Sequence, residues 1–143
     1  MKNTALLIDT NIVLDWLLER QPFADNAERI MEYCISGNVR GYLAGHSLLN
    51  IFYITRKEKS VEDRKEILLM LCNWFEIIDI DREMIVMALQ NEKWQDLEDS
   101  LQMQCALHEN LDYIITRNIK DFTDSQIKAL LPEDFLKNSD NEL

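Results

Sequence analysis

Apolar residues fall into short runs that alternate between two spacings along the chain. Leu6-Leu7-Ile8 is continuous and stops abruptly on Asp9, Thr10 and Asn11, which reads as a brief buried strand. From Asn11 to Glu19 the spacing is helical, with Ile12, Trp16 and Leu17 inward, and Pro22 stops the run. Asp25 is placed to cap a second helix to about Ser36, with Ala27, Ile30, Met31 and Cys34 on one face and Gly37 as its end signal. "RGYLAG" predicts a strand over Arg40–Ala44, and Ser47 is placed to cap a third helix to about Arg56.

A charged connection, "RKEKSVEDRK", leads to a helix starting at Ser60 or Val61 with Ile67, Leu68, Leu71, Cys72 and Phe75 inward. Its five basic and four acidic residues between positions 56 and 66 read as a solvated, salt-bridged surface. "EIIDI" predicts a strand over Glu76–Ile80, and Asp81 caps the helix that follows. A helix over Leu97–Glu109 precedes a strand over Asp112–Thr116. Lys128-Ala129-Leu130 has helical propensity that Pro132 interrupts, and "NSDNEL" reads as a frayed tail.

Strands that alternate with helices give a parallel sheet covered on both faces, an α/β fold. With 143 residues and no repeat or flexible linker, the chain reads as one domain over 1–137, with 138–143 as tail. Such a length buries roughly 70% of the unfolded surface. In parallel α/β sheets, ligands bind beyond the carboxyl ends of the strands, near the point where strand order reverses. Asp9 lies on that edge. A buried carboxylate must be paired, hydrogen-bonded or metal-bound, so Asp9 is either a helix cap or part of a site.

Charge narrows the chemistry. The 26 acidic and 15 basic residues give a net charge of −11, which counts against charge-driven binding of nucleic acid. It does not count against an enzyme whose carboxylates hold cations, because bound cations reverse the local sign. Cys34, Cys72 and Cys105 are widely spaced, no CxxC occurs and His46 and His108 stand apart, so the cysteines read as reduced core residues rather than zinc ligands. Trp16, Trp74, Phe75 and Trp94 also read as core. No apolar run approaches the roughly 20 residues that span a bilayer, and no leader pattern is read at the start, so the expected location is cytoplasmic.

Two further segments carry carboxylates. In "QDLEDSLQMQCA", Asp96 and Asp99 are three apart at a helix start, where they serve equally as N-cap and first-turn acids or as a pair sharing a divalent cation. In "IITRNIKDF", Thr116, Asn118 and Asp121 stand at or just past another strand end. Oxygen donors converging on one edge suit Mg2+ or Mn2+ and metal-assisted phosphodiester hydrolysis.

"LLIDTNIVLDWL", "DLEDSLQMQCAL" and "YIITRNIKDF", taken together and in order, resemble the signature blocks of PIN-domain proteins, many of which are metal-dependent ribonucleases, including VapC-type toxins of toxin–antitoxin pairs. The resemblance implies a three-layer α/β/α sandwich with a parallel sheet of about five strands, the last over Ile127–Leu130 against local propensity. It implies Asp9 and Asp99 as metal ligands, Asp96 as a ligand or supporting acid, and Asp121 as the last acid. Thr116 and Asn118 would orient ligands or water, and Asn11 would support Asp9. It also implies an RNA substrate with Arg117 and Lys120 near its phosphates, a homodimer and a small antitoxin. One position departs: the glutamate usual after the second strand is matched by Asn50, which brings no charge. His46 and Ser47 lie one turn before it; His46 reads as a surface or capping residue. Two activities therefore stand open: a metal-dependent endoribonuclease, and a weak or inactive PIN-like module that binds RNA or protein.

Overall fold

The computed structural model describes residues 3–141. Five parallel strands form one sheet: β1 (Ala5–Ile8), β2 (Arg40–Ala44), β3 (Glu76–Ile78), β4 (Tyr113–Ile115) and β5 (Lys128–Leu130). Their spatial order is β3-β2-β1-β4-β5. The chain builds outward from β1 on one side, then crosses over and builds outward on the other. Strand order therefore reverses between β1 and β4, and the carboxyl ends of these two strands open the crevice in which such folds seat ligands.

All four residues of β1 are buried, as expected for a strand covered on both faces. Leu6 and Ile8 point into a core shared with α1 (Thr10–Leu17), α2 (Ala24–Ile35), α3 (Gly45–Ile54), α4 (Val61–Trp74) and α7 (Pro132–Asn141). Ala5 and Leu7 point into a second core with α5 (Arg82–Gln90) and α6 (Leu97–His108). The period of two along the strand divides the interior into two layers.

Several local expectations change. α1 starts at Thr10 and ends at Leu17, and the left-handed φ of 52° at Glu19 lies beyond it. α2 starts at Ala24, so Asp25 sits in its first turn, where it favours the helix dipole without capping. Gly37, at φ 82°, provides the expected C-terminal stop. α3 starts at Gly45, where an added Cβ would lie 3.0 Å from the Ile78 carbonyl, so Ser47 is inside the helix rather than capping it. The expected cap Asp81 accepts from the Met84 amide, and Ser60, at the expected helix start, caps α4 by accepting from the Asp63 amide.

α4 packs with a narrow stripe only: Leu71 is buried and Cys72 is exposed, which corrects the reading of all three cysteines as core. Arg56 and Arg64 lie over the rings of Tyr53 and Phe52, so aromatic faces rather than ion pairs hold these two cations. Lys128–Leu130 is a strand, as the resemblance implied, because β4 offers it an open edge to pair with. The tail is more ordered than expected: α7 runs to Asn141 and Ser139 is buried, while the last two residues, 142 and 143, lie outside the described part.

A polar residue is also driven into the first core. Asp15, in α1, is fully buried. Arg117, just past β4, forks it with Nε to Oδ2 at 2.9 Å and Nη2 to Oδ1 at 3.3 Å, and Arg20 stands at 3.7 Å. The Arg117 guanidinium also lies 4.3 Å from the centre of the Phe23 ring. This fork pins α1 to the loop beyond β4.

Arg117→Met leaves the Asp15 charge buried with only the distant Arg20, and is expected to cost about 3 kcal/mol in urea unfolding. Adding Asp15→Leu to that variant should recover most of the loss, because the uncompensated charge is then removed. A loss below about 0.5 kcal/mol in the single variant would place the pair among ordinary surface contacts.

Candidate functional site

Asp9 occupies the N-cap position of α1, yet its side chain makes no capping hydrogen bond. Its Oδ2 instead accepts from Thr116 Oγ1 at 2.8 Å, across the crevice between β1 and β4. The Asn118 amide donates to the same Thr116 hydroxyl at 3.0 Å, so the loop after β4 is tied to Asp9 through one oxygen. Asp121 follows on a short 3-10 turn, Ile119–Phe122, where it is exposed.

The second carboxylate pair comes from α6. Asp96 is its N-cap, with Oδ1 accepting from the Asp99 amide at 2.9 Å. Asp99 is half-buried in the first turn. Asp96, Asp99, Lys120 and Asp121 line one cleft of about 460 Å³. The sequence pattern treated Asp96 and Asp99 as either caps or site residues; Asp96 caps the helix and lines the cleft at once.

Electrostatics joins Asp9 to this group. Burial pushes the Asp9 carboxyl up to about 6; the Thr116 hydroxyl and Thr10 amide pull it down, while the charges of Glu98 and Asp121 push it further up. Asp99 is pushed up to about 7 by burial first, then by Asp96, Asp9, Asp121 and Glu98. Asp121 and Glu98 act on both carboxyls, and Asp9 and Asp96 act on Asp99. Without a cation the group resists full ionisation.

Glu98 was not singled out from the sequence, although it stands beside Asp99 in "EDS". Its charge acts on Asp9, Asp99 and His46. His46 is half-buried, not a surface residue, and both ring nitrogens are shielded from solvent without a hydrogen-bond partner among the described residues. Burial lowers its pKa.

A buried hydroxyl–amide node underlies the site. Thr10 Oγ1 donates to Ser47 Oγ at 2.8 Å, and Gln102 Nε2 donates to both, at 3.2 and 3.0 Å. The node ties together α1, α3 and α6, which carry the residues next to Asp9, Asn50 and Asp99. Ser47 and Gln102 are fully buried. A polar residue at an inward helical position was the available signal for Gln102, as it was for Asp15.

Other expected contacts fall elsewhere. Arg117, expected near the phosphates, forks Asp15 with its guanidinium. Lys120 is exposed and lines the cleft. Asn11 and Asn50 are half-buried, and neither makes a side-chain hydrogen bond among the described residues. Trp94, expected in the core, packs against the second core while half-buried and also lines the acidic cleft.

Among the described residues, no three His, Cys, Asp or Glu side chains close on a common point as a ready-made metal site. The donors present are all hard oxygens, and their mutual repulsion is what a divalent cation relieves, so the residue set fits Mg2+ or Mn2+.

Comparison with known families decides the fold's kinship, because the model of the PIN domain matches residues 5–120. The chain belongs to the PIN-domain family. Solved structures agree on the fold. VapBC-1 from nontypeable Haemophilus influenzae aligns with TM-score 0.68 and 16% identity over 91% of this chain and 99% of that one. A toxin–antitoxin complex from Klebsiella pneumoniae gives 0.66 and 23% over 89% and 97%. Mycobacterium tuberculosis VapC20, a Sarcin-Ricin loop cleaving toxin, gives 0.62 and 7% over 76% and 86%. No curated protein matches by sequence. Among the described residues of this PIN domain, no helix is long and apolar enough to cross a membrane.

The raised carboxyl pKa values set a pH dependence. Between about pH 4 and pH 7 the folded chain keeps protons on Asp9 and Asp99 that the unfolded chain has released. Stability from these groups is therefore present at acid pH and lost as pH rises through about 6 and about 7. In EDTA, Asp99→Asn should raise Tm more at pH 8, where it removes a repelled charge, than at pH 5, where it replaces a neutral acid. An equal gain at both pH values would contradict the repulsion.

Proposed function

We propose that this PIN domain is a Mg2+- or Mn2+-dependent endoribonuclease that hydrolyses phosphodiester bonds in RNA. The observation that carries the reading is the gathering of Asp9, Asp99 and Asp121 near the strand-order reversal, where burial first and neighbouring acidic charge second push the Asp9 and Asp99 carboxyls up. Asp9 and Asp99 are the residues to hold the ion, with Asp96 and Asp121 contributing directly or through water. Thr116 fixes one oxygen of Asp9 and leaves the other for a ligand. Asn118, tied by its amide to Thr116, orients ligands or water, and Lys120 meets a phosphate oxygen at the rim. A bound divalent cation supplies the acidity that lowers the pKa of an attacking water. Glu98 restores near the site the negative charge that Asn50 omits.

Solved relatives in fold are toxin–antitoxin assemblies, some bound to DNA, and one is a toxin that cleaves the Sarcin-Ricin loop. By that analogy of fold we extend the reading to a cytoplasmic toxin, held as a homodimer and neutralised by a small antitoxin. The single-domain reading belongs to the same proposal, with α7 carrying the domain to Asn141 rather than ending it at 137.

Calorimetric titration of Mn2+ tests the site directly. Saturable binding is expected in the parent and loss of binding in Asp9→Asn and Asp99→Asn, with RNA cleavage falling by at least about 100-fold. Cleavage at parental rates by either variant would rule the assignment out.

The neutral side chain at Asn50 favours a second reading, a catalytically weak module that binds RNA or protein. Asn50→Glu separates the two. Higher metal affinity and faster cleavage in the variant point to a degenerate site in the parent, whereas slower cleavage shows that Asn50 itself serves the reaction.

A further inference from the structure

The acidic cleft presents an unsolved problem of attraction. Its carboxylates repel phosphodiesters, and a net charge of −11 supplies no basic footprint to gather them. Among the described residues, only Lys93 and Lys120 bring positive charge to its walls. Yet a large aromatic side chain is held at the same cleft, on the loop between α5 and α6 that leads into Asp96. Asn91 turns this loop: its Oδ1 accepts from the Lys93 amide at 3.2 Å and its carbonyl from the Trp94 amide at 3.3 Å. Phe122, buried in the core next to Asp121, meets the Trp94 ring edge-on, with centroids 5.4 Å apart and planes at 75°. Trp94 is thus fixed by both segments that carry cleft carboxylates. Its indole N–H is shielded from solvent and has no hydrogen-bond partner among the described residues.

We propose that this cleft is a single-nucleotide subsite for single-stranded RNA, in which a nucleobase stacks on Trp94 while the flanking phosphates meet Lys93 and Lys120. The inference rests on the nuclease reading and adds what seats the substrate. Every base has a π-face, so an aromatic platform attracts any base where charge cannot. The size of the cleft, about 460 Å³, falls within the range of sites that enclose small ligands. The edge contact with Phe122 sets the ring's orientation before the base arrives, which spares part of the ordering cost of binding. A base read by stacking alone carries little sequence preference.

The test is fluorescence titration with a 2′-O-methyl hexaribonucleotide in the presence of Mn2+. Trp16 and Trp74 pack against each other, 6.2 Å apart, on the other face of the sheet, so Trp94 is the indole that borders the cleft. Binding should quench the parent and leave Trp94→Phe without a response. By anisotropy of a labelled oligonucleotide, Trp94→Leu should weaken binding about tenfold and Trp94→Phe by no more than about threefold. Two lysine contacts predict a shallow salt dependence, a log–log slope of about −1.4 from two phosphates at about 0.7 each. Equal affinity in parent and Trp94→Leu, equal loss in the Leu and Phe variants, or a slope steeper than about −4 would overturn the subsite. A parallel fall in Mn2+ affinity in Trp94→Leu would also overturn it, since the ring would then act through the carboxylates. RNA cleavage by the parent without quenching removes the subsite and leaves the nuclease standing. Absence of both Mn2+ binding and cleavage in the parent removes the nuclease reading, and this inference falls with it.

Discussion

The hydrogen bond from Thr116 to Asp9 is the contact on which the site depends. It spans the gap between β1 and β4, where strand order reverses, and joins residues 107 apart in the chain. A buried carboxylate at a helix start ordinarily turns back to cap the helix amides. Here the Thr116 hydroxyl takes one oxygen and the cap is left unmade. That choice keeps Asp9 at the carboxyl edge of the sheet, where Glu98 and Asp121 act on it. The cost is a carboxylate whose burial opposes its own charge, and the neighbouring acids add to that cost. A site that binds a cation gains from the same arrangement, because the relief of repulsion becomes part of the binding free energy.

Two buried polar assemblies hold that edge in register. Asp15 and Arg117 join α1 to the loop after β4, and Thr10, Ser47 and Gln102 join the starts of α1 and α3 to α6. Neither assembly is an efficient source of stability. Buried ion pairs roughly balance their desolvation, and the Gln102 carbonyl has no partner among the described residues. Apolar side chains could fill the same volumes. What polar groups add is direction, since a hydrogen bond fixes the rotation and rise of a helix more sharply than packing does. The carboxylates that converge on the crevice come from separate elements, so the relative setting of those elements decides the distances between charges.

Much of this was legible locally. The apolar runs and their spacing placed the strands and helices, and the abrupt stop on Asp9 marked a strand end at the functional edge. Asp81 and Asp96 cap helices as their positions suggested, because capping is settled within three residues. Ser47 was misread for an instructive reason: it has the chemistry of a cap, but α3 begins two residues earlier at Gly45, which lies close to the Ile78 carbonyl of β3. Cys72 was misread because α4 buries a narrower stripe than its apolar content suggests.

The sequence by itself determined the elements, the alternation that makes the sheet parallel, and the positions of the acids at strand and helix ends. These depend on propensity and periodicity over a few residues. Tertiary structure alone decided that Lys128–Leu130 pairs as an edge strand despite helical propensity, and that Arg117 serves Asp15 from 102 residues away. It also decided that Glu98 joins the acidic group, and that Trp94 faces the cleft. Each of these is a contact between segments far apart in the chain. Local sequence records which groups are able to make such contacts, but only the folded arrangement selects the partner.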